Sequence, residues 1–100
     1  IVTAGFGPQD PETGEMPDGI EAQTEQVLAN VESALTSVGS SLADVVKATV
    51  HLAERDRDYD GFNAAYARSF SNPFPVRTTV GSDLDGILVE IDVIAVRNAG

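Results

Sequence analysis

The sequence predicts an α+β fold in which two helices pack on one face of a β-sheet. Two segments, at about 20–38 and 58–70, carry apolar residues at helical spacing, and four shorter segments, at 1–6, 45–52, 75–80 and 88–96, have strand character. The resulting order of strand, helix, strand, helix, strand, strand is typical of an α+β layer. At 100 residues the chain is expected to form a single domain that covers 1–100.

The first helix is predicted at about 20–38, after a loop at 7–19 that is rich in glycine and proline. Asp18 is the expected N-cap, and Gly39 is expected to end the helix. The predicted buried stripe consists of Ile20, Val27, Leu28, Val31, Ala34, Leu35 and Val38.

The strand predicted at 45–52 alternates between apolar and polar residues, which is typical of a sheet covered on one side. The two predicted faces are Val46, Ala48, Val50 and Leu52 on one side, and Lys47, Thr49 and His51 on the other. The charged segment 54–58 is predicted to be an exposed connection. In the helix that follows at 58–70, the predicted buried stripe is Tyr59, Phe62, Ala65, Tyr66, Ser69 and Phe70, with Asn63 and Arg68 outside it.

The last two predicted strands carry the candidate site residues. Pro75 restricts the residue before it to extended conformations, so Arg77 is expected to enter a strand in a defined direction. In the closing strand at 88–96, Glu90 and Asp92 have the same parity and are expected to share one face. A carboxylate buried in so apolar a strand without a partner is costly, and Arg77 is the predicted partner of Glu90, directly or through a bound anion. The residues after 96 are predicted to form a frayed tail.

Composition excludes several classes of function. Sixteen acidic and six basic residues give a net charge of −10, which argues against a nucleic-acid partner and against an anionic membrane surface. The chain has no cysteine, so disulfides and thiolate metal sites are absent. No apolar run approaches the ~20 residues needed to span a bilayer, and a cytoplasmic location is expected. The chain begins within a strand-like pattern, so we expect that a segment precedes Ile1.

The sequence contains no motif for a bound cofactor or metal, and a structural or surface role is favoured for its one histidine, His51. Two interpretations of Arg77 and Glu90 remain open from the residues alone. The pair either stabilises neighbouring strands as an ion pair, or acts as a carboxylate-binding arginine beside a glutamate that orients water and moves protons.

The chain resembles the Rid family, the reactive intermediate deaminases, also called YjgF-like or L-PSP proteins. Seven motifs in order, which together extend over nearly the whole chain, carry the resemblance: VTAG (2–5), DPETGE (10–15), QTEQVLANV (23–31), LADVVKATV (42–50), FNAAY (62–66), PVRTTV (75–80) and LVEIDVIA (88–95). The resemblance implies a chorismate-mutase-like α+β fold with a mixed sheet, assembled as a homotrimer with active sites in the clefts between subunits. It also implies hydrolysis of 2-imino and 2-enamino acids, such as 2-aminoacrylate, to 2-keto acids and ammonia without a cofactor.

The resemblance assigns roles to five residues. Arg77 matches the arginine that grips the substrate carboxylate, and Glu90 matches the glutamate near the attacking water. Gly5 and Thr79 match positions whose backbone contacts the ligand, and Asn63 matches a polar residue of the same cleft. The N-terminal hairpin of the family, with its site tyrosine, is absent from the sequence, Ala4 replaces a common serine, and the loop 81–86 is more acidic than in the family.

Three functions therefore compete. The first is the deaminase, and the second is a non-catalytic or regulatory trimer that binds small carboxylic acids in the same cleft. The third is a ribonuclease or translation inhibitor, an activity also attached to some members of the family. The acidic charge and the lack of a histidine pair count against the third function.

Overall fold

The computed structural model describes residues 1–97 and forms two helices on one face of a three-stranded sheet. The elements in order are α1 (Ile20–Thr36), a 3₁₀ turn (Leu42–Asp44), β1 (Val45–Leu52), α2 (Arg55–Ser69), β2 (Val76–Gly81) and β3 (Val89–Ala95). The strand order is β2-β1-β3, with β2 parallel and β3 antiparallel to β1. The predicted α+β fold with a mixed sheet is confirmed, while the predicted tail beyond residue 97 lies outside the described residues.

The N-terminal segment 1–6 lies along the free edge of β3. It is antiparallel to that strand and is joined to it by isolated bridges at Val2–Ile94 and Phe6–Ile91. The Phe6 N–H donates to the Ile91 carbonyl at 2.8 Å, and the Ile91 N–H donates back to the Phe6 carbonyl at 3.1 Å. The strand character predicted for this segment therefore takes the form of edge pairing with β3.

The core lies between the helices and the inner face of the sheet. β3 alternates as the sequence predicts, since Glu90 and Asp92 share the outer face while the residues between and around them are buried. The helix α1 supplies the opposing layer, and the buried set includes Val27, Leu28, Val31 and Leu35 from α1 and Val89, Ile91, Val93 and Ala95 from β3. The outer face of the sheet, which carries Glu90, is left uncovered within the described residues.

The prediction for the start of β1 is wrong at one residue. Val46 is 45% exposed, and Val45 is buried instead. The pairing of β1 with β3 has a register irregularity between Val45 and Lys47, where one extra residue reverses the facing of the chain. Beyond it the predicted alternation is confirmed, with Ala48, Val50 and Leu52 buried.

Two helix starts also differ from the prediction. Gly19, with φ 89°, occupies the N-cap of α1, and no side chain caps this helix, so the assignment of Asp18 is wrong. The helix α2 starts at Arg55, so the charged segment forms its first turn, where acidic residues are favoured by the helix dipole. Asp58 is buried there and accepts hydrogen bonds from the Arg57 guanidinium at 2.9 Å.

The helix α1 ends at Thr36, before the predicted end at Val38, and Val38 is 42% exposed, so its place in the predicted buried stripe is wrong. Gly39 follows the helix end, as predicted. This glycine has φ 80°, a left-handed conformation that glycine adopts without strain. The next N–H, from Ser40, donates to the Leu35 carbonyl at 2.9 Å and closes the end of the helix.

Candidate functional site

Arg77 lies under the helix α2 at the edge of the sheet. It belongs to β2, the edge strand, and is paired with Ala48 of β1, which is fully buried on the inner face. Directly paired residues point to the same side of a sheet, so the Arg77 side chain extends from β2 along the inner face towards α2. Its position in the chain therefore brings a cation to the rim of the apolar core.

Three aromatic rings of α2 surround the guanidinium of Arg77. Its Cζ atom lies 4.9 Å from the ring centroid of Tyr66, 5.2 Å from Phe62 and 6.0 Å from Tyr59. Cation–π contacts of this kind each contribute about 0.5–2 kcal/mol and are strongest where water is excluded. The arginine Nη2 also donates to Asn63 Oδ1 at 2.7 Å, so the side chain is held on several sides.

The Arg77 guanidinium opens into a depression of about 340 Å³ lined by Asn63, Tyr66, Ala67, Phe74, Pro75 and Arg77. Within residues 1–97 no carboxylate forms an ion pair with Arg77, whereas Arg55, Arg57 and Arg68 all have acidic partners. A partly buried cation that is oriented but not neutralised by any carboxylate of residues 1–97 is arranged to receive an anion.

Two buried hydroxyl groups lie near this arginine without a hydrogen-bond partner among the described residues, Tyr66 Oη and Thr79 Oγ1. Burial raises the pKa of Tyr66, and the positive charge of Arg77 acts in the opposite direction. Thr79 follows Arg77 by two residues in β2 and is paired with buried Val50, so it shares the inner face. Arg77, Asn63, Thr79 and the rings of α2 form what we call the arginine cluster.

Glu90 lies on the outer face of the sheet. It is paired with His51 of β1, and its side chain extends towards the N-terminal segment, over the backbone of Gly5. A Cβ atom added to Gly5 would lie 2.8 Å from Glu90 Cδ, so the carboxylate occupies space that only glycine leaves free. Gly5 and Glu90 together form what we call the glutamate cluster.

The structure brings the predicted site residues together in two groups but does not join the groups. Arg77 and Glu90 belong to β2 and β3, which are separated by β1, and they lie on opposite faces of the sheet. Of the two alternatives left open for these residues, the direct ion pair is therefore wrong within one chain. The strand parity of each residue was readable from sequence, but the order of the strands was not.

Sequence reasoning missed two features of the site. It assigned Tyr59 and Tyr66 to the buried stripe and set Asn63 apart, although residues three and four apart share one side of a helix. The spacing of Tyr59, Asn63 and Tyr66 was the signal that the Asn63 amide lies on the same side of the helix as the two tyrosine rings. It also missed Ser82, whose hydroxyl lies 2.7 Å from His51 Nδ1, because no local motif links these residues.

Within residues 1–97 no group of three or more His, Cys, Asp or Glu side chains is arranged to hold a metal ion. Among the helices of the same described region, none has the length and apolar character required to cross a membrane.

The chain is similar in sequence to one protein family and to several of its relatives. The family model described as endoribonuclease L-PSP matches residues 1–97. A RutC family protein of Pyrococcus horikoshii is 40% identical over 100 residues, which cover 97% of this chain and 79% of that protein. The 2-iminobutanoate/2-iminopropanoate deaminase of Escherichia coli is 35% identical over 102 residues, which cover 97% of this chain and 79% of that protein.

Solved structures resemble the fold over almost the whole chain. The crystal structure of E. coli TdcF with bound serine superimposes with a TM-score of 0.90 at 30% sequence identity, covering 97% of this chain and 80% of that chain. Sequence and fold thus agree over almost the whole chain, and the protein belongs to the L-PSP family, the Rid or YjgF-like family that its motifs resemble.

Proposed function

We propose that this protein hydrolyses reactive 2-imino and 2-enamino acids, of the 2-aminoacrylate type, to 2-keto acids and ammonia. The observation that carries the proposal is the state of Arg77, a partly buried guanidinium that is held by Asn63 and faces an open depression. Within the described residues this cation has no carboxylate partner of its own. A substrate carboxylate supplies the missing charge.

The shape of the arginine cluster suits a small carboxylic acid. A guanidinium binds a carboxylate through two parallel N–H···O bonds, and the rings of α2 limit the directions in which Arg77 can turn. Two relatives support the choice of substrate class. One is named as a 2-iminobutanoate/2-iminopropanoate deaminase, and the other was crystallised with serine, which carries a carboxylate beside an amino group.

Glu90 supplies the proton chemistry in this proposal. A water molecule adds to the C=N carbon of the imine while Glu90 takes one of its protons, and the nitrogen gains a proton to give a carbinolamine. The C–N bond then breaks as the nitrogen gains a proton and the hydroxyl gives one to Glu90, and ammonia departs from the new keto acid. Imine hydrolysis is intrinsically easy, so holding the carboxylate and orienting the water supply most of what the reaction needs.

The two clusters require a second copy of the chain. Arg77 and Glu90 lie on opposite faces of one sheet, so one substrate reaches both only where the glutamate cluster of one copy meets the arginine cluster of another. Apolar residues on the uncovered outer face favour such contact: Val76 is 66%, Val80 38% and Ile94 38% exposed. We propose a homotrimer as the assembly, and light scattering that finds only a 10.5 kDa species would exclude it.

The direct test is a coupled assay. An imino acid or 2-aminoacrylate is generated in situ by a second enzyme, and the appearance of the keto acid is followed with and without this protein. We expect a faster release of keto acid in its presence. A rate equal to that in buffer alone would reject the deaminase and leave the binding or regulatory trimer as the function of the cleft.

A further inference from the structure

The outer face of the sheet carries a second proton-handling group that the proposed function does not use. His51 of β1 is paired directly with Glu90 of β3, so their Cβ atoms are neighbours, about 4.5–5.5 Å apart in such pairs. The carboxylate leans away from β1 and over Gly5, on the far side of β3. A molecule bound on β3 at this point therefore has the carboxylate on one side and the imidazole on the other.

Ser82 holds the ring of His51. Its hydroxyl lies 2.7 Å from His51 Nδ1, and its own N–H donates to the Leu52 carbonyl at 3.0 Å, which anchors the serine to the end of β1. A hydrogen bond at one ring nitrogen sets the orientation of an imidazole and the use of the other nitrogen. Nε2 forms no hydrogen bond with any of the residues 1–97, and it is the atom left to exchange a proton.

The other charged groups of this face are few. β3 contributes Glu90 and Asp92, and β1 contributes Lys47, whose Nζ is turned to Thr78 of β2 at 3.4 Å. The residue of β2 that is paired with His51 is Val80, which does not titrate. His51 is also the one histidine of the sequence, so an imidazole signal in any measurement belongs to it.

The chemistry of the second half-reaction explains why two groups are useful. When the carbinolamine collapses, its hydroxyl loses a proton while its nitrogen gains one, and the C–N bond breaks as the C=O bond forms. A single carboxylate must perform both transfers in turn, whereas an acid and a base on opposite sides perform them together. Resting on the proposed function, we propose that His51 gives the proton to the departing nitrogen while Glu90 takes the hydroxyl proton, and that Ser82 positions the imidazole. The proton on Glu90 then returns to the imidazole through water, which restores both groups.

The test compares His51→Ala and Ser82→Ala with the control Thr49→Ala, which lies on the same face and strand and is paired with Asp92 as His51 is with Glu90. We expect His51→Ala to lower kcat about a hundredfold with little change in KM, and added imidazole to restore part of the rate. Ser82→Ala should lose about tenfold, since it misplaces the ring without removing it, and Thr49→Ala should match the unaltered protein. The dependence of kcat on pH should differ between His51→Ala and the unaltered protein.

The outcomes separate this inference from the proposed function. An active protein whose kcat and pH profile are unaffected by His51→Ala overturns the role of His51 and leaves the deaminase intact. A loss of rate that imidazole does not restore and that accompanies a lower melting temperature overturns it as well, because His51 is then structural. An unaltered protein with no activity above buffer rejects both proposals together.

Discussion

The two clusters differ in how the chain holds them. Arg77 lies beneath α2, where Asn63 accepts its hydrogen bond at 2.7 Å and two rings lie within 5.2 Å of its Cζ. Glu90 lies on an uncovered sheet face, and its carboxylate lies over the backbone of Gly5. One cluster is built from the interior of the chain, and the other from its surface.

In the proposed function, this difference separates carboxylate binding at Arg77 from proton transfer at Glu90. A side chain held by several neighbours loses little further freedom when a ligand binds, so the arginine cluster is pre-organised for a carboxylate. The glutamate cluster leaves its carboxylate on the uncovered face of the sheet, which the proposed assembly would bring to a neighbouring copy. Substitutions in the arginine cluster should therefore weaken substrate binding, because they change the shape of the fixed Arg77 cation. Substitutions in the glutamate cluster should lower kcat, because they move the carboxylate.

The largest expected effect belongs to Arg77→Lys. Lysine keeps the positive charge but has no planar fork, so it cannot form two parallel bonds to a carboxylate. Losing such a contact in a sheltered cleft should cost about 2–4 kcal/mol, a decrease in kcat/KM on the order of a hundredfold or more. The coupled assay measures the rate, and the melting temperature should stay close to that of the unaltered protein.

Arg68→Lys is the matched control for that substitution. Arg68, unlike Arg77, forms ion pairs with Glu21 and Glu25, but its side chain is 52% exposed, and exposed ion pairs contribute little. We expect its rate and melting temperature to be unaltered. If Arg77→Lys instead lowers the melting temperature in proportion to activity, the arginine cluster stabilises the fold and does not recognise substrate.

Much of the fold and of the candidate site can be predicted from the sequence, and particular residues show where the prediction fails. The parity of Glu90 and Asp92 follows from strand periodicity alone and is confirmed. The opposite facing of Arg77 and Glu90 depends on β1 lying between their strands, and pairing order is a property of the whole fold that no local pattern encodes. The same holds for the exposed side chain of Val46, which an extra residue in one strand reverses.

The glutamate cluster is tested by Gly5→Ala, with an intermediate effect. The added Cβ would lie 2.8 Å from Glu90 Cδ and 3.1 Å from its Cγ, so the carboxylate must move. Displacing a reacting group by about 1 Å lowers rates by up to about a hundredfold, and we expect a loss of tenfold or more in kcat.

Gly7→Ala is the control in the same segment. Its Cβ would meet the end of the exposed Gln9 side chain, which can turn away, so the rate should be retained. Equal rates for Gly5→Ala and the unaltered protein would show that the position of the carboxylate does not limit the reaction.

The smallest effect concerns stability at high pH in the arginine cluster. Burial raises the pKa of Tyr66 in the folded protein, with Arg77 opposing the shift, and its buried hydroxyl has no partner among residues 1–97. Because the unfolded chain then releases the phenolic proton at a lower pH, about 10, the free energy of unfolding should fall as pH rises above that value.

Tyr66→Phe should remove this part of the fall while changing stability at pH 7 by no more than about 1 kcal/mol. Urea unfolding between pH 7 and 11 measures it, with Tyr59→Phe, a less buried ring beside the same arginine, as the control that keeps the slope. If the free energy of unfolding falls with pH at the same rate in Tyr66→Phe and in the unaltered protein, the Tyr66 hydroxyl is as accessible to water in the folded protein as in the unfolded chain. The arginine cluster would then be less enclosed than its three aromatic rings suggest.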